Sequence, residues 1–163
     1  MQLECLALGA STGGLPALNA LLCALPPKLD VPILVTQHLP ALFMPFFARQ
    51  LAEASGRSAV VADDYQLLRP GQIHVAPGDA HLCLDRRGTN VRVRLDRSPS
   101  PTGCLPSLDR MLASLAEVYG PTALGIVLSG MGRDGTRGGQ TLVGAGGTLF
   151  AQDRDTSAIW GMP

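Results

Sequence analysis

The chain has 163 residues, and its 13 lysine and arginine residues balance its 13 aspartate and glutamate residues to a formal net charge of zero. This length suits a single domain. Because basic residues do not outnumber acidic ones, the composition argues against a dedicated nucleic-acid-binding protein. A hydrophobic fraction of 46% argues against an acidic disordered chain. No apolar run reaches the roughly 20 residues of a membrane span, and no signal peptide is visible. We therefore expect a soluble cytoplasmic protein with no membrane insertion.

The first third of the chain predicts strands alternating with helices. Apolar runs at 3–8 and 31–36 have the length and composition of buried strands. Each run is followed by a stretch with helical character, over 17–25 and 40–51, with a proline near the start of each. A strand–helix–strand–helix order is typical of a parallel α/β sheet.

The middle of the chain has a different pattern. Three short runs at 72–76, 81–85 and 90–96 are separated by proline–glycine and arginine–glycine pairs. In the last run, valine and leucine alternate with charged residues, which is the period of a strand with one solvated face. We therefore predict an antiparallel hairpin or meander around residues 72–96.

The last third returns to the parallel pattern, and Ser107 stands where a helix N-cap is expected. The whole order predicts a doubly wound, mostly parallel sheet with a Rossmann-like three-layer αβα architecture, in one domain. The predicted elements here are a helix over 107–119, a strand over 123–128, a helix over 136–145 and a strand over 148–152.

Three of the predicted strands end in loops that carry a serine, a histidine and an aspartate. Ser11 follows the first strand, His38 follows the second, and Asp134 follows the strand at 123–128. Because sites gather at the carboxyl ends of parallel strands, these loops should share one edge of the sheet. A hydroxyl, an imidazole and a carboxylate are the nucleophile, the general base and the orienting group of a serine hydrolase. Glycines in the first and third loops allow backbone amides to face a developing oxyanion.

Each of these residues also has an ordinary structural interpretation. A serine between a strand and a helix is often an N-cap, a lone histidine at a strand end is often structural, and an aspartate between glycines is common in turns. Residues 9–13 have the spacing of a nucleophile elbow, but the chain order Ser, His, Asp differs from that of α/β-hydrolases. The residue pattern alone leaves both interpretations open.

Seven motifs occur along the chain in a fixed order. They are GASTGG at 9–14, QHLP at 37–40, PG at 70–71 with APG at 76–78, PSLD at 106–109, LSGMGRDG at 128–135, AQD at 151–153 and GMP at 161–163. As a set they resemble the catalytic domain of the chemotaxis protein-glutamate methylesterases, the CheB family. The resemblance extends over residues 6–163.

This resemblance implies hydrolysis of glutamate γ-methyl esters on chemoreceptor signalling helices, with release of methanol, and a related deamidation of receptor glutamines. The implied setting is two-component chemotaxis signalling, and no metal or organic cofactor is implied. By match to the family motifs, Ser11 is the implied nucleophile, His38 is the implied base and Asp134 is the implied orienting carboxylate. The residues implied to lie beside the oxyanion and the substrate are Thr12, Gly13 and Met131.

The sequence departs from the family pattern in two places. Family enzymes carry a receiver domain before the catalytic domain, and their catalytic domain continues past the GMP motif into a further helix. Neither segment is visible here, so we expect one methylesterase domain over residues 1–163. We also expect apolar surface to be exposed around the last strand, and control by a separate response regulator rather than by a receiver domain in the same chain.

Other function classes remain open at this point. A nucleotide- or phosphate-binding module would use the glycine-rich turn at 9–14, but that turn lacks both G-x-G-x-x-G and a Walker lysine. A non-catalytic receptor-binding domain would keep its surface without activity, although all three expected catalytic residues are present. An esterase acting on another methyl ester would show the same residues.

The remaining conspicuous side chains have structural interpretations. The cysteines form no C-x-x-C pair and are expected to be buried free thiols. His74 and His81 have no third ligand nearby in sequence, so no metal site is expected there. The helix after His38 should turn its aromatic residues to the core. The alternative is that Phe43 and Phe47 flank the site entrance and grip a receptor helix. Trp160 should pack beside the chain end. The residues concerned are Cys5, Cys23, Cys83 and Cys104, and then Phe43, Phe46, Phe47 and Leu51.

Overall fold

A six-stranded, fully parallel sheet forms the centre of the computed structural model, which describes residues 2–163. In chain order the strands are β1 (Cys5–Ala10), β2 (Ile33–Gln37), β3 (Ala59–Val61), β4 (Ile73–Val75), β5 (His81–Arg87), β6 (Asn90–Asp96), β7 (Ala123–Val127) and β8 (Thr148–Ala151). The sheet order is β3-β4-β2-β1-β7-β8, and β5 and β6 form a separate antiparallel hairpin. The predicted α/β fold with a mostly parallel sheet is confirmed.

Within residues 2–163, four helices cover the two faces of the sheet. They are α1 (Gly14–Ala24), α2 (Met44–Ser55), α3 (Leu108–Tyr119) and α4 (Thr136–Gly144), and short 3₁₀ turns lie at Ala41–Phe43 and Gly120–Thr122. Alternate side chains of β1 enter opposite cores: Leu6 and Leu8 pack with α1 and α2, whereas Cys5 and Ala7 pack with α3 and the hairpin. A strand buried on both faces explains the uninterrupted apolar run in its sequence.

The antiparallel segment is narrower than the predicted range 72–96. The hairpin is confirmed for β5 and β6, which pair from His81 with Asp96 to Arg87 with Asn90. Residues 73–75 instead form β4, a strand of the parallel sheet that lies between β2 and β3. β3 has no counterpart in the prediction because three half-buried residues are too few to show a period.

Within residues 2–163, no helix combines the length and apolar character that crossing a bilayer demands.

Candidate active site

The loops that carry the serine and the histidine open from adjacent strands. β1 lies between β2 and β7 in the sheet, so the carboxyl ends of these three strands are neighbours. Ser11 follows the last residue of β1 and His38 the last residue of β2. Both side chains line one cavity of about 360 Å³, together with Thr12, Gly13 and residues of α2. The predicted shared edge is therefore present.

Backbone contacts hold Ser11 in place from three directions. Its amide donates to the Ser129 carbonyl at 3.0 Å, and its carbonyl accepts from Gln37 Nε2 at 2.9 Å and from the Gly14 amide at 3.0 Å. Two glycines allow this approach. Gly13 has a left-handed φ of 73°, and a Cβ on Gly130 would lie 2.8 Å from the Ser11 Cβ. The glycines are thus needed where the backbones of two loops meet.

Asp134 lies at the other end of the site and is paired with His38. Its Oδ2 is 2.7 Å from His38 Nε2, and the Asp134 side chain is 1% exposed. Three further donors come from the start of α3: Ser107 Oγ at 2.8 Å, the Leu108 amide at 2.7 Å and the Asp109 amide at 3.1 Å. This buried carboxylate therefore accepts four hydrogen bonds.

These four bonds keep Asp134 ionised. Burial by itself raises the pKa of this carboxyl, but the donors from His38, Leu108, Asp109 and Ser107 outweigh burial, and the pKa lies below its usual value. An ionised carboxylate only accepts, so His38 Nε2 must carry the proton in their shared hydrogen bond. Nδ1 is then the ring nitrogen with the free lone pair, which is the nitrogen that can act as a base.

The start of α3 contains residues for which the sequence indicates no catalytic role. Ser107 is a predicted cap of this helix, but its hydroxyl makes no capping bond and donates to Asp134 instead. His81 Nδ1 accepts from the Ser107 amide at 2.9 Å, and its Nε2 lies 2.8 Å from the Ser98 carbonyl. His81 is thus a buried structural residue that fixes the turn presenting three donors to Asp134. The PSLD motif is the only sequence signal for this turn.

Asp109 joins α3 to the loop that carries Asp134. Its Oδ1 accepts from the Gly135 amide at 3.0 Å and from the Gly138 amide at 2.7 Å. These amides belong to the start of α4, so a carboxylate from one helix caps the next. The capping contact fixes the position of Asp134 relative to α3.

Unpaired backbone amides lie on the serine side of the site. Within residues 2–163, the Thr12, Gly13 and Met131 amides donate to no acceptor, and Ser11 Oγ has no hydrogen-bond partner. Ser129 Oγ connects the loops at this end by donating to the Thr12 carbonyl at 2.9 Å and accepting from the Ile159 amide at 3.0 Å. Free amides beside a hydroxyl are groups that can stabilise an oxyanion.

One cluster in the described part of the chain has donors suited to a metal ion. Ligand atoms of His38, Cys104 and Asp134 all lie within 4.8 Å of one another. The cysteine expectation is only partly correct, because Cys5 and Cys83 are buried whereas Cys23 is exposed and Cys104 is half-buried. Nothing in the sequence spacing connects Cys104 with the two residues it approaches.

The aromatic residues after His38 divide between core and surface. Phe47 and Leu51 are buried as expected. Phe46, on the outer face of α2, and Phe43, in the 3₁₀ turn before α2, are about half-exposed. Trp160, a predicted packing residue, is also more than half exposed, with its Nε1 donating to the Gln152 carbonyl at 3.2 Å. More aromatic surface is therefore exposed than a core-packing role predicts.

A model of the CheB methylesterase family matches residues 6–163. The chain belongs to this family. It is 41% identical over 161 residues to a protein-glutamate methylesterase/protein-glutamine glutaminase of Paramagnetospirillum magneticum, covering 98% of this chain and 42% of the relative. A Nocardioides protein of the same description is 44% identical over 158 residues, covering 97% and 43%. The chain thus spans about two fifths of the length of these curated relatives.

A solved structure shows the same fold. The Thermotoga maritima CheB methylesterase catalytic domain superposes with a TM-score of 0.95 at 34% sequence identity, and the match covers all of this chain and 86% of the other. The resemblance drawn from the seven motifs is confirmed by the family model, the curated relatives and the solved structure.

Proposed function

We propose that this chain is a serine hydrolase that demethylates glutamate γ-methyl esters of chemoreceptors, releasing methanol, and that it deamidates receptor glutamines by the same route. The observation that carries the proposal is the 2.7 Å contact between His38 Nε2 and the buried Asp134. It leaves His38 Nδ1 as the basic nitrogen, on a residue that shares a cavity with Ser11. The curated relatives are named for both activities.

The proposed reaction begins with attack by Ser11 Oγ on the ester carbonyl carbon while His38 Nδ1 takes the hydroxyl proton. Asp134 stabilises the imidazolium that forms, and the amides of Thr12, Gly13 and Met131 face the oxyanion. Collapse breaks the carbon–methoxy bond, and the His38 proton passes to the leaving oxygen to give methanol. Water then repeats the sequence on the acyl-serine, which releases glutamate and restores Ser11. For a glutamine substrate the leaving group is ammonia.

Methyl-accepting receptors are the proposed partners, with a signalling helix as the segment that is bound. Leu42, Phe43 and Phe46 are exposed around the start of α2, the helix whose Phe47 and Gln50 line the cavity. An amphipathic helix would bury its apolar face on such residues. We further propose that residues 1–163 act as one methylesterase domain, and the family match over residues 6–163 supports this.

The test is methanol release from methylated receptor by the wild-type chain and by Ser11→Ala. The variant should lose at least about a thousand-fold in kcat, since removing a triad nucleophile removes most of the catalysis. Ser58→Ala is the matched control, because Ser58 is exposed and lies far along the chain, directly before β3. An undiminished rate in Ser11→Ala would overturn the nucleophile assignment. Receptor binding without methanol release by the wild type would instead indicate a non-catalytic binding domain.

A further inference from the structure

Cys104 supplies a third donor beside the paired His38 and Asp134, and the proposed acyl transfer does not use it. Imidazole nitrogen, thiolate sulfur and carboxylate oxygen are the three ligand types found in zinc sites. We propose that His38, Cys104 and Asp134 form an inhibitory site for Zn²⁺, in which the ion blocks the hydrolase by occupying the base and its carboxylate. The inhibitory consequence rests on the proposed function, whereas the binding of the ion does not.

The donor atoms lie close to the spacing that the ion needs. Tetrahedral bonds of about 2.0–2.3 Å place ligand atoms roughly 3.3–3.6 Å apart. His38 Nε2 and Asp134 Oδ2 are 2.7 Å apart and must separate slightly to admit the ion. The ligand atoms of His38, Cys104 and Asp134 all lie within 4.8 Å of one another, so Cys104 must move slightly towards the other two. Asp134 keeps its three donors from the start of α3 during this change.

Cys104 is free to make this movement because its backbone bonds are local. It lies in the irregular segment 97–107 between β6 and α3. Its amide donates to Thr102 Oγ1 at 3.4 Å, and its carbonyl accepts from Ser100 Oγ at 2.7 Å. Both partners lie within residues 100–104, so this short stretch can move while Ser107 keeps its bond to Asp134. A shift of the loop thus leaves the sheet and α3 in place.

The ion would inactivate His38 by changing which ring nitrogen carries the proton. Without metal, Asp134 holds the proton on Nε2 and Nδ1 has the free lone pair. Zn²⁺ on Nε2, the nitrogen that faces the carboxylate, moves that proton to Nδ1, which then donates and can no longer accept the Ser11 proton. Cys104 binds the ion as a thiolate, and its thiol proton passes to solvent when the sulfur–zinc bond forms.

The other cysteines provide internal controls. Within residues 2–163, only Cys104 among the cysteines belongs to a group of three metal-ligating side chains. Cys23 is exposed and free, so Cys23→Ser removes one thiol without touching the proposed site. Cys104→Ser keeps the side-chain size and removes only the thiolate ligand.

The first experiment uses Co²⁺ as a spectroscopic probe on the whole 163-residue chain. Wild type and Cys23→Ser should show a thiolate-to-cobalt charge-transfer band at one equivalent of Co²⁺, which one equivalent of Zn²⁺ abolishes. Cys104→Ser should lack the band and should bind Zn²⁺ at least about ten-fold more weakly in calorimetry, because losing a ligand should cost at least as much as altering a residue that only supports one. A wild-type protein without the band, or a Cys104→Ser protein that retains it, overturns the proposal.

The second experiment measures methanol release in the presence of Zn²⁺. The wild type should be inhibited and should recover when a chelator is added. Measured relative to its own rate without metal, Cys104→Ser should need at least about ten-fold more Zn²⁺ than the wild type for half-inhibition. Equal Zn²⁺ sensitivity of the two proteins contradicts the site. If the metal-free wild type releases no methanol, the proposed function fails, and the cobalt spectra still decide whether the ion binds.

Discussion

The two ends of the proposed active site differ in how completely their polar groups are paired. At the carboxylate end, Asp134 is buried and accepts four hydrogen bonds. At the serine end, within the described residues, Ser11 Oγ and the Thr12 and Met131 amides have no partner. The fold therefore orients the base in advance and leaves the nucleophile and the oxyanion donors free to meet a substrate.

The largest effect should come from breaking the carboxylate end with Asp134→Asn. An amide in this position donates to His38 Nε2 and so favours the ring tautomer that cannot take the Ser11 proton. We expect kcat for methanol release to fall by about 10⁴, the loss seen when a triad aspartate is replaced in this way. Asp85→Asn is the control, because Asp85 lies in the hairpin and bonds Arg87. A loss below about ten-fold in Asp134→Asn would show that tautomer control is not needed.

Gly130→Ala should disturb the serine end while leaving the carboxylate end intact. The new Cβ would lie 2.4 Å from Met162 Sδ and 2.8 Å from Ser11 Cβ. We expect a loss of about 1–3 kcal/mol in the free energy of unfolding, as in other overpacked sites. Urea unfolding and methanol release are the measurements, and kcat should fall as Ser11 is displaced.

Gly144→Ala is the matched control for this substitution. Gly144 is in α4, and nothing lies within 4 Å of the position that an alanine Cβ would take there. Alanine should stabilise the helix by roughly 0.5–1 kcal/mol. Equal stability of the two variants would mean that the contact between the Gly130 loop and Ser11 is looser than its geometry indicates.

Ser107→Ala should remove one of the four hydrogen bonds that Asp134 accepts at the carboxylate end. We expect kcat to fall by about ten-fold with little change in KM, since a hydrogen bond to a charged group contributes about 1.5–3 kcal/mol and part of that loss is recovered by the remaining donors. Ser114→Ala controls for loss of stability, because Ser114 is buried in α3, the helix that follows Ser107. Its hydroxyl accepts from the Leu84 amide and donates to the Met111 carbonyl. Equal kcat losses in both variants would assign Ser107 a purely structural role.

The smallest effect should be a change in acid sensitivity. The pKa of Asp134 is lowered in the folded protein, so its contribution to stability is present above the unfolded value of about 3.9 and is lost as the pH falls through the lower folded value. Urea unfolding of wild type and Asp134→Asn, followed from about pH 6 down to about pH 3 so as to bracket that unfolded pKa, should show a steeper acid loss in the wild type. Parallel curves would contradict the pairing of this carboxylate.

Several parts of the fold can be predicted from local patterns. The apolar runs of β1, β2 and β7 predict buried strands because a strand covered on both faces must be apolar throughout. The same patterns wrongly place β4 in the antiparallel region, because its three residues carry no sign of their partner. Pairing is set by contacts between distant segments, and neither composition nor periodicity records these.

In the sequence alone, the order of the motifs identified the family. The positions of Ser11, His38 and Asp134 after predicted parallel strands predicted that all three lie at one edge of the sheet. Only the tertiary structure showed that the Ser107 hydroxyl serves Asp134 instead of its own helix, and that Cys104 lies beside His38 and Asp134. Secondary-structure propensity and the spacing of apolar residues depend on neighbours along the chain, so both can be obtained directly from the sequence. The hydrogen-bond partners of Asp134 are separated from it by 25 residues or more, and they meet it only once the helices have packed on the sheet.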